Sequence, residues 1–130
     1  MIMKFTYPKH EKLKSRKQIE KLFTEGKSVS KYPLRLVYLK HENKDIPFQI
    51  SVSVSKKYFK KAVDRNYFKR ILRETYRLNQ HLLKENLGNH YSFMFLYQSK
   101  DRLTFEEINQ KTIELFDRFH QVISNERKTV

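Results

Sequence analysis

The chain has 130 residues and a net charge of +14, from 28 Lys and Arg residues against 14 Asp and Glu residues. The length indicates one domain, and hydrophobic and aromatic contents of 38% and 14% exclude a disordered basic tail. The lack of cysteine excludes disulfides and thiolate metal sites. No stretch approaches the roughly 20 apolar residues of a membrane span, and the amino end lacks the apolar core of a signal peptide, so we expect a cytoplasmic protein without a membrane partner.

The amino-terminal quarter predicts an arm followed by a short helix. Residues 1–14 are basic and irregular, and we interpret them as an extended arm. Ser15 with Gln18 three positions later has the form of a capping box, which marks a helix start. Gly26 is a natural helix stop, so the pattern predicts a helix near 15–25.

Two strands are predicted next. Residues 34–39 are rich in β-forming side chains, and the polar segment 41–45 is typical of a hairpin loop. Residues 48–55 alternate between apolar and polar side chains, which places the two kinds on opposite faces of a strand. The apolar members are Phe48, Ile50, Val52 and Val54, and the polar members are Gln49, Ser51, Ser53 and Ser55.

A long helix is predicted over roughly 60–80, with its apolar stripe on the side opposite its basic residues. The stripe comprises Val63, Tyr67, Ile71, Thr75, Leu78 and Leu82, flanked by Phe68 and Leu72. Tyr76 falls on the basic side, where it would either stack on a base or cover lysine stems. Residues 91–97 are apolar on both faces and predict an interior strand.

The last element is a helix opened by a second capping box, from Thr104 to Glu107, and we expect residues 125–130 to fray. The predicted order is α-β-β-α-β-α, with room for one more short strand. A hairpin followed by a strand–helix–strand crossover implies a mixed sheet with helices packed on it.

The charge of the long helix is ordered. Residues 56–77 hold nine Lys and Arg against two acids, so +7 of the chain's +14 lies in 22 residues. Five cations recur every four residues and share one helical stripe: Lys61, Arg65, Lys69, Arg73 and Arg77. A solvated surface helix more often mixes signs, so this stripe favours a nucleic-acid partner, with Arg70 and Asn66 beside it.

Other chemistries lack a sequence signal. We expect all five histidines at the surface, because they show no metal-ligand spacing: His10, His41, His81, His90 and His120. The acids do not pair at motif spacing, and two glycines are too few for a phosphate-binding glycine loop. We therefore predict no catalytic side chain, no protein-bound metal and no small-molecule substrate.

A motif of small and basic residues runs through the middle of the chain. It consists of Ser53-Val54-Ser55-Lys56-Lys57, Ala62-Val63, Arg65-Asn66, Lys69-Arg70 and Arg73-Glu74. This motif closely resembles the signature of the bacterial ribonuclease P protein subunit. Leu13 to Lys17, Leu22-Phe23 and Gly26 to Ser28 are similar to the opening of that family, and the resemblance covers about residues 9–120.

The resemblance implies a single RNA-binding domain over 1–130 with an α+β fold. The fold would be an α-β-β-β-α-β-α sandwich with a mixed sheet and a left-handed β-α-β crossover, similar to ribosomal protein S5 domain 2. The activity would be that of an endoribonuclease, the ribonucleoprotein that removes the 5′ leader from precursor tRNA. Its RNA subunit would carry the chemistry and hold most of the Mg²⁺, and the protein would bind that RNA and the leader.

The resemblance also assigns the residues of two surfaces. The catalytic RNA would contact Lys61, Arg65, Asn66, Lys69, Arg70, Arg73 and Arg77. A cleft for the leader would be lined by Ile19, Phe23, Val37, Ser53, Lys56 and Lys57. The chain departs from the family pattern at Tyr67, where arginine is usual, at Ser51, where glycine is frequent, and at Ile19 and Val37, where aromatics are frequent.

Two alternatives stay open from the residues alone. One is a non-enzymatic basic RNA-binding or ribosome-associated protein, which the central motif disfavours. The other is an autonomous metal nuclease, which the scattered carboxylates disfavour because two-metal sites need several converging acids.

Overall fold

A computed structural model describes residues 7, 9–41, 48–85, 87 and 90–128. The elements are a 3-10 turn (Lys9–Glu11), α1 (Arg16–Glu25), β1 (Lys27–Lys31), β2 (Leu34–His41), β3 (Gln49–Val54), α2 (Ala62–Lys84), β4 (His90–Tyr97) and α3 (Phe105–Lys128). The order α-β-β-β-α-β-α is the one the resemblance implies, and β1 is the additional short strand. None of the described helices combines the length and apolar content that a bilayer crossing requires.

The four strands form one mixed sheet in the order β1-β2-β4-β3. β4 pairs antiparallel with β2 and parallel with β3, so α2 lies in the crossover from β3 to β4. The predicted hairpin between β2 and β3 is wrong, because β4 separates these strands; most of its expected loop lies outside the described residues. The hairpin joins β1 to β2 instead.

Helices cover both faces of the sheet. α2 and α3 pack together on one face, and α1 packs on β2 and β4 on the other. β4 supplies both layers in alternation: Phe93 and Phe95 enter the core beneath α2 and α3, whereas Met94 and Leu96 enter a smaller core beneath α1. The prediction of an interior strand buried on both faces is confirmed.

The buried face of α2 differs from the predicted stripe. Val63 and Tyr67 are 70% and 47% exposed, whereas Tyr76, predicted on the basic side, is fully buried. Ile71 and Thr75 of the predicted stripe are buried, as are its flanking residues Phe68 and Leu72. The buried face is therefore shifted toward Phe68, Leu72 and Tyr76, which follow each other at four-residue spacing. The Tyr76 hydroxyl is satisfied there because it donates a hydrogen bond to the buried carboxylate of Glu11.

Local signals place the helix ends well. The Ser15 hydroxyl oxygen accepts a hydrogen bond from the backbone N–H of Gln18 at 3.5 Å. At the start of α3, the backbone N–H of Thr104 donates to the Glu107 carboxylate at 3.1 Å, and the backbone N–H of Glu107 donates to the Thr104 hydroxyl oxygen at 3.2 Å. A Cβ at Gly26 would lie 2.1 Å from the Leu22 carbonyl oxygen, so the chain can turn from α1 into β1 here only with glycine. α3 continues to Lys128, past the point at which we expected the chain to fray.

His41 was expected at the surface, and that expectation is wrong. It is buried at the end of β2, and its Nε2 lies 2.6 Å from the Ser92 Oγ on β4. β2 continues two residues beyond its predicted end, and this brings the His41 ring beside Ser92 of the neighbouring strand. Burial, with smaller contributions from Lys21 and His90, lowers the pKa of His41 below its ordinary value of 6.5.

The pKa of His41 predicts a loss of stability in mild acid. Below pH 6.5 the unfolded chain binds a proton at His41 that the folded chain resists. The contribution of neutral His41 to the free energy of unfolding is therefore complete above pH 6.5 and is lost as pH falls below that value. Between about pH 7.5 and about pH 5.5, the wild-type free energy of unfolding should fall more than that of His41→Gln. Urea unfolding of both proteins at each pH measures this, and identical pH slopes would contradict it.

Candidate nucleic-acid interface

The outward face of α2 carries exposed positive charge. Asn66, Arg70 and Arg73 are exposed along it, and Lys61 is exposed at its amino end. Among the described residues, neither Arg70 nor Arg73 has a hydrogen-bond or ion-pair partner. Both guanidinium groups are therefore available to bind phosphate oxygens in a bidentate manner.

Arg65 belongs to the same predicted set but has a different environment. Its Nη1 donates hydrogen bonds to the carbonyl oxygens of Phe59 and Lys60, at 3.0 and 2.7 Å. These residues form the turn that enters α2, whose N-cap, Lys61, makes no side-chain capping bond. Arg65 therefore holds the entry to the helix, and only part of its side chain remains exposed.

Arg77 is also engaged within the protein. It forms an ion pair with Glu74, in which the Arg77 Nε donates to a carboxylate oxygen at 3.1 Å. This hydrogen bond, opposed by partial burial, lowers the pKa of Glu74. The pair reduces the net charge at the carboxyl-terminal end of the stripe. The free positive charge of α2 is concentrated between Lys61 and Arg73, where Lys69 is partly exposed.

A groove lies on the other face of the sheet. Because α1 packs on β2 and β4, the polar side of β3 with Ser51 and Ser53 stays partly exposed beside it. Phe23 on α1 is 49% exposed, and Lys56 and Lys57 are exposed where the chain leaves β3. The groove therefore has a floor of small polar side chains, the exposed ring of Phe23 on the neighbouring helix α1, and two lysines where the chain leaves β3.

Two residues assigned to this groove contribute mainly to packing. Val37 is only 3% exposed and lies in the small core with Leu22, so it supports the groove from beneath. Ile19 is partly buried against the same core. Of the three apolar residues assigned to the cleft, Phe23 is the one with a largely open side chain.

Tyr67 lies at the edge of the basic face, beside a cation that sequence reasoning missed. The Arg102 guanidinium carbon lies 5.9 Å from the Tyr67 ring centroid and 5.3 Å from that of Phe68, and Arg102 forms an ion pair with Asp64 at 3.3 Å. Arg102 precedes α3, 35 residues beyond Tyr67. Nothing in the local sequence signals this contact, because the fold alone brings the two segments together.

Metal ligation has no cluster in the described part of the chain. Its His, Asp and Glu residues form no group of three or more that could hold a metal ion.

The fold and the two surfaces define a class of small basic proteins built on a four-stranded mixed sheet with a cationic crossover helix. The sequence profile described as Ribonuclease P matches residues 7–120. The chain belongs to the ribonuclease P protein family, for which tRNA processing within a ribonucleoprotein is implied.

Relatives and solved structures agree with this assignment. The ribonuclease P protein component of Porphyromonas gingivalis is 48% identical over 84 residues, 64% of this chain and 61% of that protein's length. That of Clostridium botulinum is 36% identical over 109 residues, covering 82% of this chain and 92% of the relative. The matched part of this chain thus spans less than two thirds of the Porphyromonas protein.

Two solved structures share the fold. The ribonuclease P protein of Thermotoga maritima matches with a TM-score of 0.67 and 24% identity, over 83% of this chain and 96% of that one. The Staphylococcus aureus protein matches with a TM-score of 0.67 and 21% identity, over 82% and 93%. At these identities the likeness establishes the architecture and says nothing further about the surfaces.

Arg65 and Arg70 should therefore respond differently to truncation. Arg65→Ala removes two hydrogen bonds from the entry to α2 and should lower the free energy of unfolding by about 1–2 kcal/mol. Arg70→Ala removes no hydrogen bond or ion pair among the described residues and should change the free energy of unfolding by less than about 0.5 kcal/mol. Chemical denaturation of both variants measures the difference; equal stabilities would contradict the structural role of Arg65.

Proposed function

We propose that this chain is the protein subunit of ribonuclease P, acting in the cytoplasm on precursor tRNA. It binds the catalytic RNA subunit and the 5′ leader, and it assists Mg²⁺-dependent endonucleolytic removal of that leader. The observation that carries the proposal is the pair of guanidinium groups, Arg70 and Arg73, which have no partner among the described residues and lie on a face of α2 that the core leaves free.

The outward face of α2 is the proposed contact with the catalytic RNA. Arg70 and Arg73 bind phosphates, Lys61 adds a point charge at the start of the helix, and Asn66 offers an amide between them. Lys69 contributes from the side of this face. Arg65 and Arg77 act mainly by keeping the helix and its entry in place, because their guanidinium groups are bound within the protein.

The groove beside α1 is the proposed site for the leader. A single strand lies over Ser51 and Ser53, with a base against Phe23 and phosphates near Lys56 and Lys57. Such contacts are tolerant of sequence, because stacking and phosphate binding do not depend on base identity.

The chemistry belongs to the RNA subunit, which holds most of the Mg²⁺. Two RNA molecules that must approach each other repel through their phosphates, and a basic protein at their junction lowers this repulsion. The protein therefore supplies positive charge and additional substrate contact, and it needs no reacting side chain of its own.

Reconstitution tests the proposal directly. With the cognate catalytic RNA and precursor tRNA, adding the protein should restore leader removal at a Mg²⁺ concentration at which the RNA alone is nearly inactive. The protein alone should cleave nothing. Binding of RNA without any gain in processing would favour the non-enzymatic RNA-binding alternative, and cleavage by the protein alone would favour an autonomous nuclease.

The two surfaces should separate in binding experiments. Arg70→Ala should weaken binding to the catalytic RNA more than binding to a leader oligonucleotide, because Arg70 lies on α2 and not in the groove. If Arg70 contacts one phosphate, the slope of log affinity against log salt should decrease by about 0.7–0.9. Phe23→Ala should show the reverse preference, and the opposite ranking would exchange the two assignments.

A further inference from the structure

A basic cavity lies at the outer edge of β3, and Ser51 and Arg73 are the lining residues that it shares with the two surfaces described above. Its volume is about 300 Å³, and it is lined chiefly by Tyr7, Lys12, Lys14, Ser51, Val52 and Arg73. Three of these side chains are cationic, and none of the lining residues is acidic. The cavity adjoins Ser51, part of the groove floor, and Arg73, part of the basic face of α2, so it lies where the two surfaces meet.

The amino-terminal segment builds one wall of this cavity. The Leu13 amide donates a hydrogen bond to the Ile50 carbonyl oxygen at 3.1 Å, and Lys12 forms a parallel bridge with Ile50. The Tyr7 hydroxyl donates to the same carbonyl oxygen. This pairing brings Lys12 and Lys14 from one end of the chain to Arg73 in the middle.

Glu11 fastens the segment to α2. Glu11 is 8% exposed, and its carboxylate accepts hydrogen bonds from the Tyr76 hydroxyl at 2.9 Å and from the Lys84 ammonium group at 2.5 Å. Lys84 also donates to the Gln80 side chain at 3.0 Å. A buried carboxylate keeps its place only while such donors surround it, so these bonds fix the residue next to Lys12.

The three cations have no direct ion-pair partner within the described structure, and the nearby Glu11 carboxylate is bound by Tyr76 and Lys84. Neither Lys12, Lys14 nor Arg73 forms an ion pair with a described residue, and the Lys12 ammonium group lies 5.4 Å from the Tyr7 ring centroid. Burial raises the pKa of Tyr7 to about 12, although Arg73 opposes this, so its hydroxyl stays neutral near pH 7. The cavity therefore has a concentrated positive charge that an anion would neutralise.

We propose that this cavity binds a phosphate group of an RNA strand. Lys12, Lys14 and Arg73 supply the charge, and Glu11 is the positioning residue that holds Lys12 and Lys14 opposite Arg73. This inference rests on the proposed function, because it takes RNA as the ligand. The phosphate belongs either to the leader or to the catalytic RNA, since the cavity borders both surfaces.

The first test removes the two lysines and compares the result with a matched loss of charge. Lys12→Ala/Lys14→Ala is set against Lys40→Ala/Lys100→Ala, which removes two exposed lysines away from the cavity. Affinity is measured for the catalytic RNA and for a leader oligonucleotide as a function of salt. The cavity variant should bind one of these RNAs about tenfold more weakly than the control, with a salt slope lower by about 1.4–1.8.

The outcomes separate the site from the function. If the wild-type protein binds neither RNA, the proposed function fails. If the wild-type protein binds but the cavity variant matches the control on both RNAs, the phosphate site alone is overturned. The RNA whose affinity falls identifies the source of the phosphate.

The second test uses the sign of a charge change. Glu11→Ala removes a negative charge, which by long-range electrostatics should tighten binding to RNA. If Glu11 positions the two lysines, Glu11→Ala should instead weaken RNA binding by at least about threefold at the same salt concentration. Glu20→Ala, which removes an exposed acid from α1, gives the purely electrostatic effect.

Folding is monitored so that the second test stays decisive. Binding is compared below the unfolding temperature of each variant, and Glu11→Gln, whose side-chain oxygen still accepts from Tyr76, should recover part of the loss. Binding by Glu11→Ala as tight as that of Glu20→Ala would overturn the positioning role. If Glu11→Ala does not fold, the comparison of the lysine variants decides the site, because they leave the Glu11 contacts intact.

Discussion

Burial of β4 on both faces is the constraint from which the rest of this structure follows. A strand with apolar side chains above and below must have a neighbour on each edge and a cover on each face. β2 and β3 supply the edges, α2 with α3 supplies one cover, and α1 supplies the other. On its face α1 packs on β2 and β4, and the polar side of β3 stays partly open. The groove thus lies where the cover by α1 ends.

The same constraint places β3 at an edge. An edge strand presents unpaired backbone groups, which proteins commonly protect with a loop or a charged residue. Here the amino-terminal segment pairs with Ile50 and is secured by Glu11, so the protection of the edge also delivers two lysines to it. Stability and ligand binding are linked at this point, because the contacts that cover the strand also shape the cavity.

The sequence predicted the elements better than their relations. Capping boxes, the alternation in β3 and the two-sided apolar run of β4 are local signals, and each placed its element within a few residues. The pairing of β2 with β4 is not local, and a polar loop between β2 and β3 suggested a hairpin that the fold does not contain. Helical periodicity also put Tyr76 on the basic side of α2, whereas the fold buries its ring and Glu11 gives its hydroxyl a partner. That partner is 65 residues away, beyond the reach of any periodic pattern.

The candidate site shows a similar limit. The four-residue spacing of cations located the basic helix, but it treated every cation as equal. In the folded chain Arg65 closes the turn before the helix and Arg77 is paired with Glu74, whereas Arg70 and Arg73 remain free of such contacts among the described residues. A charge used to hold the protein together is less available to neutralise phosphate, because releasing it would break the internal bond. Counting the cations on a helix therefore overstates the charge that is available to bind phosphate. Some of these side chains instead stabilise the helix that carries the others.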